Sequence, residues 1–412
     1  MRVVAGQRLR LWTDLPPNPA IDELPAAFAA AVSLWAEHFG VAPERVGAWH
    51  AQAFLIDDRG TFAALGLMPE RNPEFANGFA QGRELWLVEQ PSDYYRRHLL
   101  LHEGVHAFMY EFLGGTGPGW YAEGMAELLG SHTWNAAASA DKDRLRLPAF
   151  PAKRDDVPMW GRVRTLRDAA AAGASLSLEA VLALDGARAI SDDAYAWTWA
   201  LCALLDGHPQ FRARFRTLAA AASEPEFNDR VRQTFAADWG DLACEWQAYC
   251  ATIDYGYDFA RMAMTHREAN EVGAGEREVR IRADRGWQST GAVLRAGRTY
   301  QISAQGRYVI AVEDGRPWPC EPGGVTLRWH AGRPLGELHA ALRPMTPTAA
   351  ERVASPPDRP DAAPDPDFAA PCPVGLAARI TPRRDAILYL RVNDSAASLS
   401  DNSGDLRAVI AD

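Results

Sequence analysis

The feature that most constrains the fold is His102-Glu103-Gly104-Val105-His106, set in the run HLLLHEGVHAFMYEFL. On a helix, residues four apart are offset by only about 40°, so His102 and His106 face the same way and can share one ion. Glu103 sits about 100° round, near enough to reach water beside that ion without ligating it. Imidazole suits zinc, and a catalytic zinc site takes three protein ligands with a fourth position open. A chain with this pattern must therefore bring a third ligand to one particular helix face. With ten histidines in 412 residues, the spacing arises by chance in only ~1% of such chains. An amphipathic helix with two core histidines is the lesser reading.

The third ligand is on offer nearby. The first helix is expected to end at the glycines of 114–119, and a second begins near Trp120 with Trp-Tyr-Ala-Glu-Gly-Met-Ala-Glu-Leu-Leu. Sixteen residues separate His106 from Glu123, room for two helical turns, a reversal and a return to the ion. Glu127 lies one turn further on the same face, placed to orient a ligand histidine through its other ring nitrogen.

Together these runs resemble the gluzincins, the thermolysin and aminopeptidase N type of zinc metallopeptidase in the peptidase MA-like group. The resemblance rests on His-Glu-x-x-His followed by Trp-Tyr-Ala-Glu-Gly-Met-Ala-Glu, close to the group's WLxEGxAE, and runs coarsely from residue 8 to 252. It implies that His102, His106 and Glu123 hold zinc, that Glu103 is general base, and that Glu127 braces His102. The Gly-x-Met-x-Asn exopeptidase motif is missing, which favours an endopeptidase. In several gluzincins a tyrosine on a downstream helix supplies the oxyanion donor that such chemistry needs. Tyr195, in DDAYAWTWALCALL, resembles that position; an aromatic core residue beside Trp197 and Trp199 is the competing reading. Tyr121 and His208 are weaker candidates, and His98, one turn before His102, reads as packing.

Two domains are expected from the length. Residues 1–90 mix strand-like runs (8–13, 49–56, 84–88) with an amphipathic helix at 21–39, and residues 92–253 are mainly helical. Beyond residue 276 short alternating segments between turns (279–283, 300–303, 308–312, 325–329, 377–380, 387–392, 406–410) predict an antiparallel sandwich. The fold class is therefore α+β. A zincin-like domain at 1–260, with a mixed sheet and a mainly helical lobe, precedes a linker at 261–275. A small antiparallel β-sandwich follows at 276–412, with a Pro-rich inserted loop at 343–373.

Within that sandwich, in the runs Asn393-Asp394-Ser395 and Asp401-Asn402-Ser403-Gly404, the side chains of Asp394, Asp401 and Asn402 place three candidate oxygen ligands in one loop. Calcium takes six to eight such ligands, but the same residues are ordinary turn formers. The spacing resembles the calcium-dependent galactose-binding bacterial lectin family. That resemblance implies calcium held by Asp394, the Ser398 carbonyl, Asp401 and Asn402, with a further carbonyl from 308–310 and a sugar bridged to the ion. The stretch 315–336 departs from the family's sugar-contacting loop.

Net charge is −10, so the basic footprint of a nucleic-acid partner is missing. No run reaches the ~20 apolar residues of a membrane span. Arginines at positions 2, 8 and 10 interrupt any apolar export signal, so the sequence as written reads as cytoplasmic; an upstream start would make it secreted or periplasmic. The five cysteines (202, 244, 250, 320, 372) form no Cys-x-x-Cys pair. Cys320 and Cys372, each beside prolines, are the candidate bridge, although the odd total argues against it. The sequence thus reads as a zinc peptidase acting on protein or peptide, with a C-terminal calcium-binding, glycan-directed module. The alternative is a calcium-dependent carbohydrate-binding protein whose peptidase-like part is an inactive scaffold.

Overall fold

The computed structural model describes residues 1–138, 141–272, 275–345 and 365–412. Most of the Pro-rich loop expected at 343–373 (residues 346–364) lies outside the described residues. The chain is a mixed α+β protein with several sheets. It forms two compact units, Met1–Trp239 and Gly240–Asp412.

The N-terminal unit is built on a five-stranded sheet of β1 (Arg2–Ala5), β2 (Leu9–Thr13), β3 (Ala51–Ile56), β4 (Gly78–Gln81) and β5 (Glu84–Val88), in the order β1-β2-β3-β5-β4. β2, β3 and β5 run parallel, and β1 and β4 are antiparallel edges. The Leu24–Phe39 helix buries Phe28, Val32 and Trp35 and packs on the Asp93–Leu113 helix. The latter starts where Ser92 Oγ accepts from Tyr95 N at 3.0 Å, with Asp93 in its first turn to complement the helix dipole. The Gly119–Gly130 helix follows and packs against both Asp93–Leu113 and Asp192–Gly207. Its approach to the last is very close: a Cβ on Gly124 would lie 2.5 Å from Cys202 Sγ and 2.6 Å from the Thr198 oxygen. Only glycine fits there, so the glycine after Glu123 is a packing requirement.

The C-terminal unit holds a sheet ordered Gly323–His330, Arg333–Pro344, Ala386–Val392, Gln288–Leu294 and Asn270–Glu271, with Cys372–Pro373 on the second strand. A second sheet runs Ala377–Ile380, Tyr300–Gln305, Asp405–Ala411 and Arg277–Arg282. Ile281, Ile302 and Ile410 from one sheet share a core with Leu338, Leu342 and Leu388 from the other. Tyr308–Glu313 and Arg316–Cys320 form a separate hairpin.

Two expectations differ from the structure. The units divide at Trp239/Gly240, upstream of the linker expected at 261–275, because Ala248 of the Trp239–Thr252 helix clusters with Met264, Trp287, Ala341, Phe368 and Tyr389. The longest strand, Arg333–Pro344, has no counterpart among the expected segments, and its last two residues fall within the expected inserted loop. All five cysteines are free, Cys320 and Cys372 included, as the odd total favours. Among the described residues no helix is long and apolar enough to cross a membrane.

Candidate metal centre

The Asp93–Leu113 and Gly119–Gly130 helices place His102, His106 and Glu123 together. Their connection is pinned by the Gly117 N–H on the Ala222 oxygen (2.8 Å) and the Trp120 N–H on the Leu184 oxygen (2.9 Å). His102 Nε2 lies 3.2 Å from His106 Nε2, and Glu123 Oε2 lies 3.3 Å and 3.4 Å from those two nitrogens. Ligands 2.0–2.1 Å from a tetrahedral ion stand roughly 3.3 Å apart, so the three atoms match one face of that tetrahedron. Glu123 Oε2 is buried and makes no hydrogen bond among the described residues. A buried carboxylate oxygen facing two imidazole nitrogens is costly unless those rings carry protons or a cation sits between them. The donor set therefore fits zinc.

The electrostatics agree with that geometry. Burial works against ionisation of Glu123, yet His106 and His102 outweigh it and hold its carboxyl down to about 2. Burial would lower His102, but Glu123 and Glu127 raise it to about 10. Burial raises the Glu103 carboxyl, with His102 and His106 pulling the other way. A carboxylate poised upward in this manner is better matched to taking and returning a proton. β4 runs beside it: a Cβ on Gly78 would sit 2.4 Å from Glu103 Oε1.

Glu127 is buried, with Oε1 at 3.4 Å from His102 Nδ1 and Oε2 at 3.4 Å from His98 Nε2. Arg162 donates to it twice, Nε to Oε2 at 3.1 Å and Nη2 to Oε1 at 2.9 Å. Trp160 Nε1 adds a third bond to Oε2 at 2.9 Å. Burial opposes the charge of Glu127, but Arg162, then His98 and His102, keep its carboxyl well below the usual range. His98, His102 and Glu127 also lie within metal-ligand spacing of one another. Arg162 already occupies both oxygens of that carboxylate and Trp160 one of them, so this cluster has less free ligand capacity than the first. His98 lies 5.7 Å from the Tyr95 ring and 6.1 Å from Tyr94, both stacked.

Tyr195 stands edge-on to His102, ring centroids 5.9 Å apart. Burial, then Glu123 and Glu103, push its hydroxyl pKa up, so it stays a proton donor. The weaker candidates lie in aromatic packing, Tyr121 on Phe227 at 4.6 Å and His208 on Phe211 at 4.2 Å.

In the C-terminal unit, Asp394 and Asn402 touch directly: Asn402 Nδ2 donates to Asp394 Oδ2 at 2.8 Å and to the Ala283 oxygen at 3.1 Å. Ser395 N donates to Asp394 Oδ1 at 2.6 Å. Burial raises the Asp394 carboxyl, partly offset by Asn402 and Ser395. Asp401 Oδ2 accepts from Val312 N at 3.2 Å. Asp401 Oδ1 and Asn402 Oδ1 are buried with no partner among the described residues. The Ser398 carbonyl accepts weakly from Asp401 N at 3.4 Å. Within 308–310, the Val309 oxygen is taken by Ser403 N at 3.0 Å.

No family model and no curated protein matches the chain. Among solved structures the chain is similar to the N-terminal domain of EclA, described as a PllA-like lectin. The two are 18% identical over 32% of this chain and 93% of that one, with a TM-score of 0.22. A likeness of that size adds nothing to the geometry above.

Three residues at the centre were not anticipated from the sequence: Gly78, Trp160 and Arg162. Gly78 lies in a four-residue edge strand without apolar alternation. Trp160 and Arg162 are brought in from the far side of a loop, 33 and 35 residues beyond Glu127. No spacing rule reaches so far.

Proposed function

We propose that the N-terminal unit is a zinc-dependent peptidase of zincin-like fold. The observation that carries the reading is the triangle of His102 Nε2, His106 Nε2 and Glu123 Oε2, with sides of 3.2–3.4 Å. Zinc held there would polarise a substrate carbonyl and ease deprotonation of water. Glu103 then takes a proton from the attacking water and returns it to the departing amine nitrogen. The Tyr195 hydroxyl donates to the oxygen that gains charge as the carbonyl is attacked. Glu127 holds His102 through Nδ1, leaving Nε2 turned toward Glu123. The gluzincin-like motifs support the same assignment, and the missing exopeptidase motif favours cleavage within a chain.

Metal analysis of the purified protein beside a generic peptide-cleavage assay tests this. About one zinc per chain is expected, lost on His102→Ala or His106→Ala. Glu103→Gln is expected to keep the zinc and lower turnover by ~10²–10⁴-fold. Stoichiometric zinc in both histidine variants, or undiminished turnover in Glu103→Gln, overturns the assignment.

A second reading concerns the C-terminal unit alone, as a calcium-dependent carbohydrate-binding module. Its support is the pair of buried, unpartnered oxygens on Asp401 and Asn402 beside Asp394, together with the lectin-like spacing of the loop. If this were the whole function, the peptidase-like unit would be a scaffold. A scaffold has no use for Glu103 beside an intact ligand triangle, so the enzyme is the favoured reading.

A further inference from the structure

We propose that Arg162 is a positioning residue serving both halves of the candidate catalytic centre, aiming Glu127 at His102 and carrying the ring of Tyr195. The inference rests on the zinc reading above. Arg162 opens the Arg162–Ala171 helix and is 6% exposed. A buried guanidinium is costly unless its donors are met, and here they are met from two directions.

On one side Nε and Nη2 grip the two oxygens of Glu127 at 3.1 Å and 2.9 Å. A two-point grip fixes the plane of a carboxylate, which a single point charge does not. Trp160 Nε1, at 2.9 Å from Oε2, reinforces that plane. The oxygen left facing His102 is Oε1, at 3.4 Å from Nδ1. With Nδ1 so engaged, the ring presents Nε2 to His106 and Glu123.

On the other side the guanidinium carbon lies 5.2 Å from the centre of the Tyr195 ring, a cation–π contact. Nη1 also lies 3.6 Å from Asp192 Oδ1, in the first turn of the helix that carries Tyr195. Tyr195 in turn stands edge-on to His102 at 5.9 Å. Arg162, Glu127, His102 and Tyr195 therefore close a ring of contacts in which one side chain sets the metal brace and the oxyanion donor.

Zinc affinity of the full chain, measured by chelator competition, needs no substrate and reads the first half. Arg162→Met is expected to weaken zinc by ~10–100-fold, the usual loss when a ligand histidine loses its brace. Glu127→Ala should weaken it equally, and adding Arg162→Met to Glu127→Ala should cost no further affinity. Turnover at saturating zinc reads the second half: in the Glu127→Ala background Arg162→Met should still lower kcat, with KM unchanged. Arg162→Lys keeps the buried charge without the fork, so it answers the question even if Arg162→Met does not fold. Its zinc affinity is expected to fall with that of Arg162→Met. Wild-type zinc affinity in Arg162→Lys, or full additivity of Arg162→Met with Glu127→Ala, overturns the proposal. A wild-type protein that binds no zinc would instead overturn the metal reading beneath it.

Discussion

Gly78→Ala is a one-atom perturbation of the candidate general base. The added Cβ would lie 2.4 Å from Glu103 Oε1, 2.9 Å from Cδ and 3.0 Å from Cγ, against ordinary contact from 3.4 Å upward. Gly78 is not among the glycines with positive φ, so alanine meets no backbone strain there and the clash is the whole effect. Either β4 or the Glu103 carboxylate must yield by about 1 Å, and β4 is held along its length by β5. A catalytic group misplaced by that distance can cost ~10²-fold in rate. The ligands of the metal triangle are not the atoms struck, so zinc content should stay near one per chain. Peptide turnover of Gly78→Ala beside metal analysis is the assay, with Glu103→Ala and the double variant completing a cycle. In the double variant the alanine should have no further effect, because the carboxylate it displaces is gone. Wild-type turnover in Gly78→Ala would refute the close approach. An undiminished effect in the double variant would place the damage elsewhere.

Two further predictions follow from the titration of the sites. His102 is raised to about 10, and a ligand imidazole must be neutral, so below that value zinc binding expels a proton. Glu123, held at about 2, is already ionised at neutral pH and releases none. Calorimetry at pH 7.5 in buffers of different ionisation heat should find about one proton released per zinc, with affinity rising as pH rises; zero release would reject His102 as a ligand. In the C-terminal unit, calcium at 100 times its dissociation constant should stabilise by about 2.7 kcal/mol. The unit's melting transition in the full chain should then rise by roughly 5–10 °C, and Asp394→Ala should remove the rise. Burial raises the Asp394 carboxyl, so the calcium effect should fade on acidification at a higher pH than an ordinary aspartate would give. A melting temperature indifferent to calcium would reject the calcium site.

Most strands of this sequence were as legible as its helices, and the exception, Arg333–Pro344, is hidden by burial on both faces. The Asp93–Leu113 helix is buried all round from Arg96 to Val105, yet its stops, a serine cap and Gly114, are local. Arg333–Pro344 lies in the interior of its sheet between two partners. Leu338, Ala340 and Leu342 face one core while Ala341 faces another cluster, so the two-residue alternation that marks a half-exposed strand is erased. Pro334 and Gly336 add turn-forming residues at its start, where strand propensity is weak. The domain boundary was missed for a related reason. The Trp239–Thr252 helix continues the helical composition of the first unit, and composition does not record which core Ala248 joins.

The candidate metal triangle was legible because His102, His106 and Glu123 sit on two consecutive helices joined by a short turn. Helical periodicity then fixes two faces, and a brief connection leaves few ways to bring them together. The same logic explains what was hidden. Arg162 and Gly78 arrive from segments whose path is set by the sheet and by other helices, so their contacts with Glu127 and Glu103 depend on the whole unit rather than on spacing. The loop at 394–402 divides in the same manner. Its own side chains, Asp394 and Asn402, were readable and do touch, while its outer partners, Val312 and Ala283, come from elsewhere in the chain. One carbonyl within the expected outer segment, that of Val309, is already bonded to Ser403. That bond takes one of the two lone pairs of the Val309 carbonyl, so the unpartnered Asp401 Oδ1 and Asn402 Oδ1 remain the freest oxygens of the loop.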